Sequence, residues 1–188
     1  MYLIKELKKN KMKKILAFAG SNSSQSINKK LVEFAGLSIK DIELKVLDLN
    51  DFELPIYGAD FENEKGIPKS AQELLNLILS SDGILLSLAE HNGNYTAAFK
   101  NLQDWLSRID IKVWGDKPIL LLAAAPGKMG GKSVLNIAKA SFPYMGANVV
   151  ADFSLPRFYE NFNHEEGISN GALSADFETS LSTFKNHL

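Results

Sequence analysis

The sequence predicts a three-layer α/β protein, a parallel sheet of five strands with helices on both faces, and three observations predict it. Short apolar runs alternate with stretches of helical spacing. Strands that alternate with helices need crossover connections, which make neighbouring strands parallel and carry the helices over both faces. The loops after the first, third and fourth runs are rich in glycine and small polar residues, where open sheets of this kind bind ligands beyond the carboxyl ends of their strands.

The first strand is read at Ile15 to Ala19, followed by a helix with Leu31, Phe34 and Ala35 on its apolar face. A more polar, alternating run from Glu43 to Leu49 is the second strand, and Ala71, Leu74, Leu75 and Ile78 mark the next helix. Ile84 to Leu88 is the third strand; Ala98, Leu102, Trp105, Leu106 and Ile109 follow at helical spacing. Ile119 to Ala124 is the fourth, with Val134, Ile137, Ala138, Phe142 and Met145 after it. The fifth is read at Ala147 to Ala151, and a last helix carries Phe177, Leu181, Phe184 and Leu188. The polar stretch from Glu160 to Ser174 is read as a surface loop.

With 188 residues, 45% of them hydrophobic and 23% charged, the chain fits one globular domain. Residues 13–188 are read as that domain and residues 1–12 as a flexible extension without assigned function. A formal charge of -1 gives no bulk field toward nucleic acid or an anionic membrane surface. The absence of cysteine excludes disulfides, thiol nucleophiles, iron–sulfur clusters and thiolate zinc sites, and the scattered His91, His164 and His187 suggest no metal centre. No apolar run is long enough to span a bilayer and no signal-peptide pattern opens the chain, so a cytoplasmic protein is expected.

The first loop reads Gly20-Ser21-Asn22-Ser23-Ser24-Gln25-Ser26-Ile27-Asn28. A helix start carries unpaired N–H groups and a partial positive charge, so small polar side chains there suit a phosphate. One serine alone would be an ordinary N-cap. Here every side chain from Ser21 to Ser26 is a hydroxyl or an amide. The loop is not a dinucleotide fingerprint, and Gly131-Lys132-Ser133 is not a P-loop end, because Pro126 stands where that motif needs glycine.

The second loop, Ala89-Glu90-His91-Asn92-Gly93-Asn94-Tyr95-Thr96, leads into a helix with Lys100-Asn101 and Asp104-Trp105-Leu106. Together with the first loop, Leu54-Pro55-x-Tyr57-x-x-Asp60 and Pro126-Gly127-x-x-Gly130-Gly131, this resembles the NADPH-dependent FMN reductase family, across about residues 13 to 151. That family includes enzymes described as quinone, azo-dye or chromate reductases. The resemblance implies a flavodoxin-like sheet of order 2-1-3-4-5. It also implies flavin mononucleotide (FMN) as cofactor, NADPH or NADH as hydride donor, and a flavin, quinone or similar flat small molecule as acceptor. It places the FMN phosphate on Ser21, Ser23, Ser26, Ile27 and Asn28. It lays Ala89, Glu90, His91, Asn92, Gly93 and Asn94 along the isoalloxazine edge and brings Ala125 and Gly127 to the flavin from the fourth strand.

No catalytic side chain is assigned, since the cofactor carries the redox chemistry. Lys100 and Asp104 read as an i, i+4 ion pair and Trp105 as buried with Leu102 and Ile109. Many family members carry arginine at the position of Ser23, and proline and tyrosine at those of Ala89 and His91. Without that arginine, phosphate is retained by the helix terminus and neutral donors alone. A flavodoxin-type electron carrier and a flavin-binding module without turnover are the alternatives; a charge of -1 argues against the former, and the missing arginine keeps the latter open. A homodimer is expected, or a tetramer built from it. The segment from Asp51 to Phe61 carries Phe52, Leu54, Ile56, Tyr57 and Phe61, an unusually apolar set for a loop. It either pairs two subunits or folds back over its own sheet edge.

Overall fold

The structure, a computed structural model, describes residues 12–188. Its strands are β1 (Lys13–Gly20), β2 (Ile42–Leu47), β3 (Gly83–Leu88), β4 (Glu90–His91), β5 (Asn94–Tyr95), β6 (Pro118–Ala124), β7 (Asn148–Leu155), β8 (Phe162–Asn163) and β9 (Gly167–Ile168). The helices are α1 (Ile27–Leu37), α2 (Ala59–Lys65), α3 (Lys69–Ser80), α4 (Ala97–Ile109), α5 (Lys132–Ser141), α6 (Phe158–Asn161) and α7 (Gly171–Lys185). The main sheet runs β2-β1-β3-β6-β7 with every pair parallel. This is the expected order 2-1-3-4-5 once the two-residue hairpin strands are left out of the count.

Side chains alternate across the strands, so each apolar run supplies two cores. Leu16, Phe18, Leu86, Leu88 and Leu121 point to one face, under the apolar stripes of α3, α4 and α5. Ile15, Ala17, Leu85, Leu120 and Leu122 point to the other, where α1 and α7 cover them. Leu74, Leu75 and Ile78 are buried in α3 and Phe177, Leu181 and Phe184 in α7, as the spacing predicts, whereas α1 buries Val32 rather than Phe34 and α5 buries Leu135 rather than Ile137. In α4 the buried residue of the first turn is Phe99 rather than Ala98.

Three readings are corrected. The fifth strand extends to Leu155, not Ala151. It lies at the sheet edge, where the exposed Asp152 and the half-buried Ser154, whose hydroxyl donates to the Gly130 carbonyl, break the apolar run without ending the ladder. The stretch from Glu160 to Ser174 is not simply a loop. It holds the end of α6, the β8–β9 hairpin and the start of α7, pinned by the buried Ile168 and by Phe162 stacked on Phe158 with centroids 4.8 Å apart. The segment after β2 contains α2, a short helix with no buried residue.

The same segment folds back mainly on α4. Trp105 Nε1 donates to the Pro55 carbonyl at 2.7 Å, Asn101 Oδ1 accepts from the Tyr57 N–H at 2.8 Å, and the Tyr57 ring meets Trp105 edge-on at 5.1 Å. Phe52, Leu54 and Tyr57 thus pack on their own core. Ile56 stays 88% exposed and Phe61 38%. Residues 1–11 of the expected extension lie outside the described residues. No helix among those described is long and apolar enough to cross a membrane.

Candidate functional site

The carboxyl ends of β1, β3 and β6 bring three loops together, as the topology requires. In the first, Ser26 is the N-cap of α1, its Oγ accepting from the Lys29 N–H at 3.2 Å. Ser21 Oγ accepts from the Ser23 N–H and Ser23 Oγ from the Gln25 N–H, each at 3.2 Å. All three serine oxygens therefore accept locally, which leaves each hydroxyl hydrogen free to donate. The N–H groups of Ile27 and Asn28, at the first two helical positions, have no partner among the described residues. The donor set is that of an anion cradle.

Lys29 contributes no free charge to this loop, because its Nζ lies 2.5 Å from Asp48 Oδ2. The hydrogen bond raises the lysine pKa, and the same bond, with the Asn50 N–H, holds the Asp48 carboxyl below its ordinary range.

The Asn28 side chain is turned to the sheet. Its Nδ2 donates to the Ala124 carbonyl at 3.1 Å, its Oδ1 accepts from the Ala124 N–H at 2.8 Å, and Ser87 Oγ also donates to Oδ1 at 2.8 Å. All three residues are buried, and the main-chain groups of Ala124 fix which way the amide faces. The family likeness put Asn28 on the phosphate. Only its main-chain N–H points to that role; its side chain sets the height of the loop after β6.

The second loop is a hairpin. Asn92 at φ 54° and Gly93 at φ 74° form its tip, the left-handed pair that a two-residue hairpin turn needs. Tyr95 anchors it, packed on Phe99 and Phe142 with its hydroxyl 3.1 Å from Ser141 Oγ; burial pushes that phenol up. Glu90 Oε2 accepts from the Val134 N–H at 3.1 Å in the first turn of α5. A carboxylate there also complements the helix dipole. Thr96 caps α4 and donates to the Gly20 carbonyl at 2.9 Å, tying the hairpin to the first loop.

The third loop, from Ala125 to Gly131, is pinned from the start of α6. The Ala125 carbonyl accepts from the Phe158 N–H and the Gly127 carbonyl from the Arg157 N–H, both at 3.1 Å. Gly130, at φ 63°, lies against Ser154 and Pro156 so closely that a Cβ would sit 2.3 Å from Ser154 Oγ.

A cleft of about 200 Å³ opens between these loops. Ser21, Ser23, Ser26, Ile27 and Asn28 line one side; Ala89, Glu90, His91 and Ala125 line the other. The hairpin tip, Asn92 to Asn94, and Gly127 lie beyond the lining. Sequence reasoning missed Gln25, Ala124, Pro126 and, above all, Tyr159, which stands at the lip of the cleft. A larger hollow of about 320 Å³ beside Asn22, Phe52 and Asn101 has no such ring of donors. Lys100 and Asp104 form their expected surface pair, and no group of three or more metal-ligating side chains occurs among the described residues.

Residues 13–160, more than half of the chain, match the family described as NADPH-dependent FMN reductase. A quinone reductase of Escherichia coli (strain K12) is 33% identical over 79 residues, which is 42% of this chain and 42% of that protein. The chain thus spans about two fifths of the length of that relative. An NADPH azoreductase of Bacillus sp. (strain OY1-2) is 32% identical over 108 residues, 57% of this chain and 58% of the relative. Among solved structures, a flavoenzyme NAD(P)H:(acceptor) oxidoreductase of Paracoccus denitrificans superposes with a TM-score of 0.72 at 23% identity, covering 94% of this chain and 99% of that one. That is a likeness of fold.

Proposed function

The chain belongs to the NADPH-dependent FMN reductase family, and on that premise we propose that it is an NAD(P)H-dependent oxidoreductase that holds FMN in the cleft and reduces a flavin, a quinone or a similar flat acceptor. The observation that carries this reading is the donor set at the start of α1, where three hydroxyls able to donate and two N–H groups without a partner among the described residues suit a phosphate. When bound, FMN supplies the ring that takes hydride from NADPH or NADH and passes electrons on.

The rest is the work of this chain's residues within the domain from 13 to 188. Ser21, Ser23 and Ser26 offer hydroxyls to the phosphate, with the N–H groups of Ile27 and Asn28. Asn28 fixes Ala124 and so the level of Ala125 and Gly127, whose glycine-rich loop allows close approach of a ring. Glu90 and Thr96 hold the hairpin from Ala89 to Asn94 against α5 and β1. No side chain needs to act as base or nucleophile.

The proposal extends to assembly and compartment. A cleft of about 200 Å³ is below the roughly 300 to 1,000 Å³ that enclosing ligand sites offer, so a second copy that completes it fits the geometry. The exposed Ile56, with Phe61 nearby on α2, supports a homodimer face on the α4 side. The proposed compartment is the cytoplasm, where reduced nicotinamide donors are available.

Rapid mixing of FMN-loaded protein with NADPH tests the enzyme reading. Bleaching of the flavin band within the turnover time of an added quinone is the expected result. A band that persists while the protein retains FMN refutes it.

A further inference from the structure

We infer that Tyr159 is the aromatic wall of the cleft and determines which phosphorylated ligand it keeps, taking the flat ring of a flavin against its phenol face; this rests on the FMN reading above. Among the described residues lining the cleft, Tyr159 carries the only benzene ring. Its neighbour Phe158 is 3% exposed, whereas Tyr159 is 73% exposed. The ring is apolar surface offered to the cleft, not part of the core.

Its position is fixed through the backbone. The Phe158 N–H donates to the Ala125 carbonyl and the Arg157 N–H to the Gly127 carbonyl, both at 3.1 Å, so α6 is bonded to the loop that forms one side of the cleft. Phe158 stacks on Phe162 at an interplanar angle of 20°, and Asn161 Nδ2 donates to the Pro156 carbonyl at 2.9 Å. Tyr159 is thus an exposed ring on a clamped carrier, which offers large contact area at small cost in side-chain freedom. The serine loop recognises charge and cannot by itself tell FMN from other phosphate monoesters. A ring wall can, because stacking selects flat aromatic ligands.

The experiment is a flavin titration of wild type and of Tyr159→Phe, Tyr159→Leu and Tyr159→Ala, following affinity and flavin emission, with unchanged circular dichroism as the folding control. A phenol in contact with a flavin quenches its emission by electron donation to the excited ring, which a phenyl group cannot do. The expected pattern is quenched emission for wild type, wild-type affinity with restored emission for Phe, and roughly two- to tenfold weaker binding for Leu and Ala. Riboflavin should lose affinity by the same factor, since the wall acts on the ring, while competition by inorganic phosphate stays unchanged. If wild type binds FMN and the Ala and Leu proteins match it in affinity and emission, the assignment of Tyr159 falls and the FMN reading stands. If wild type does not bind FMN, both fall.

Discussion

Asn28→Ala is the perturbation with the clearest calculable cost. It removes three hydrogen bonds and leaves the Ala124 N–H, the Ala124 carbonyl and the Ser87 hydroxyl without their partner. Ala124 is 2% exposed and Ser87 0%. A buried polar group left unpaired costs about 1 to 3 kcal/mol. The cleft lies beside the site and admits water to some of these groups, so the low end applies to each and the total is about 3 kcal/mol. Against a domain stability of roughly 5 to 15 kcal/mol this is a large fraction. With a urea slope of about 2 kcal/mol per molar, the midpoint falls by about 1.5 M. Ser87→Ala alone should cost about 1 kcal/mol, and much less in the Asn28→Ala background, where the hydroxyl is already orphaned. Asn28→Asp keeps the acceptor for Ala124 N–H and Ser87 but turns a carboxylate toward the Ala124 carbonyl, so it should not rescue. A loss below about 1 kcal/mol for Asn28→Ala, or full rescue by aspartate, refutes the bridge.

FMN should raise the melting temperature far more than riboflavin does. At about 100 times the dissociation constant the stabilisation is roughly 2.7 kcal/mol, and equal shifts with the two flavins would remove the phosphate cradle from the account. Ser23→Arg should tighten FMN binding several-fold, a gain of about 1 kcal/mol for one charge-assisted contact; unchanged affinity in a calorimetric titration would mean that position 23 faces away from the phosphate. The Lys29–Asp48 pair should make stability pH-dependent on the acid side. With Asp48 lowered in the folded state, its contribution is complete above the unfolded value of about 3.8 and fades as pH falls below it. The gap in urea midpoint between wild type and Asp48→Asn should therefore be present at neutral pH and close at strongly acid pH; a constant gap contradicts the assignment. Ile56→Asp should yield monomers by light scattering without loss of helical signal, and a wild type that is itself monomeric at micromolar concentration ends the dimer proposal.

The sheet was legible because β1, β3 and β6 are buried on both faces and so read as unbroken apolar runs. The edge was not. Asp152 and Ser154 interrupt the apolar run of β7 and look like a strand end, and the β8–β9 hairpin rests on too few apolar residues to show a period. At the site, the sequence placed the three loops correctly but could not say which way a side chain turns. Asn28 and Glu90 are polar residues in polar loops, and nothing local reveals that one reaches Ala124 and the other Val134. Tyr159 was missed although a signal existed: the Phe158-Tyr159 pair follows the last strand, on the edge of the sheet where ligands are sought. The apolar segment after β2 could be read two ways, and both faces are present, Phe52 and Tyr57 turned inward and Ile56 outward.

The bridge from Asn28 to Ala124 spans 96 residues, and that from Thr96 to Gly20 spans 76. During synthesis the serine loop leaves the ribosome long before Ala124 and Ala125 at the end of β6. The Asn28–Ala124 bridge therefore closes only once β6 lies beside β3. A chain cut after α4 keeps the serines and the hairpin but lacks Ala124 and Tyr159. Such a fragment keeps the serines proposed to hold a phosphate and loses the ring proposed to select a flavin.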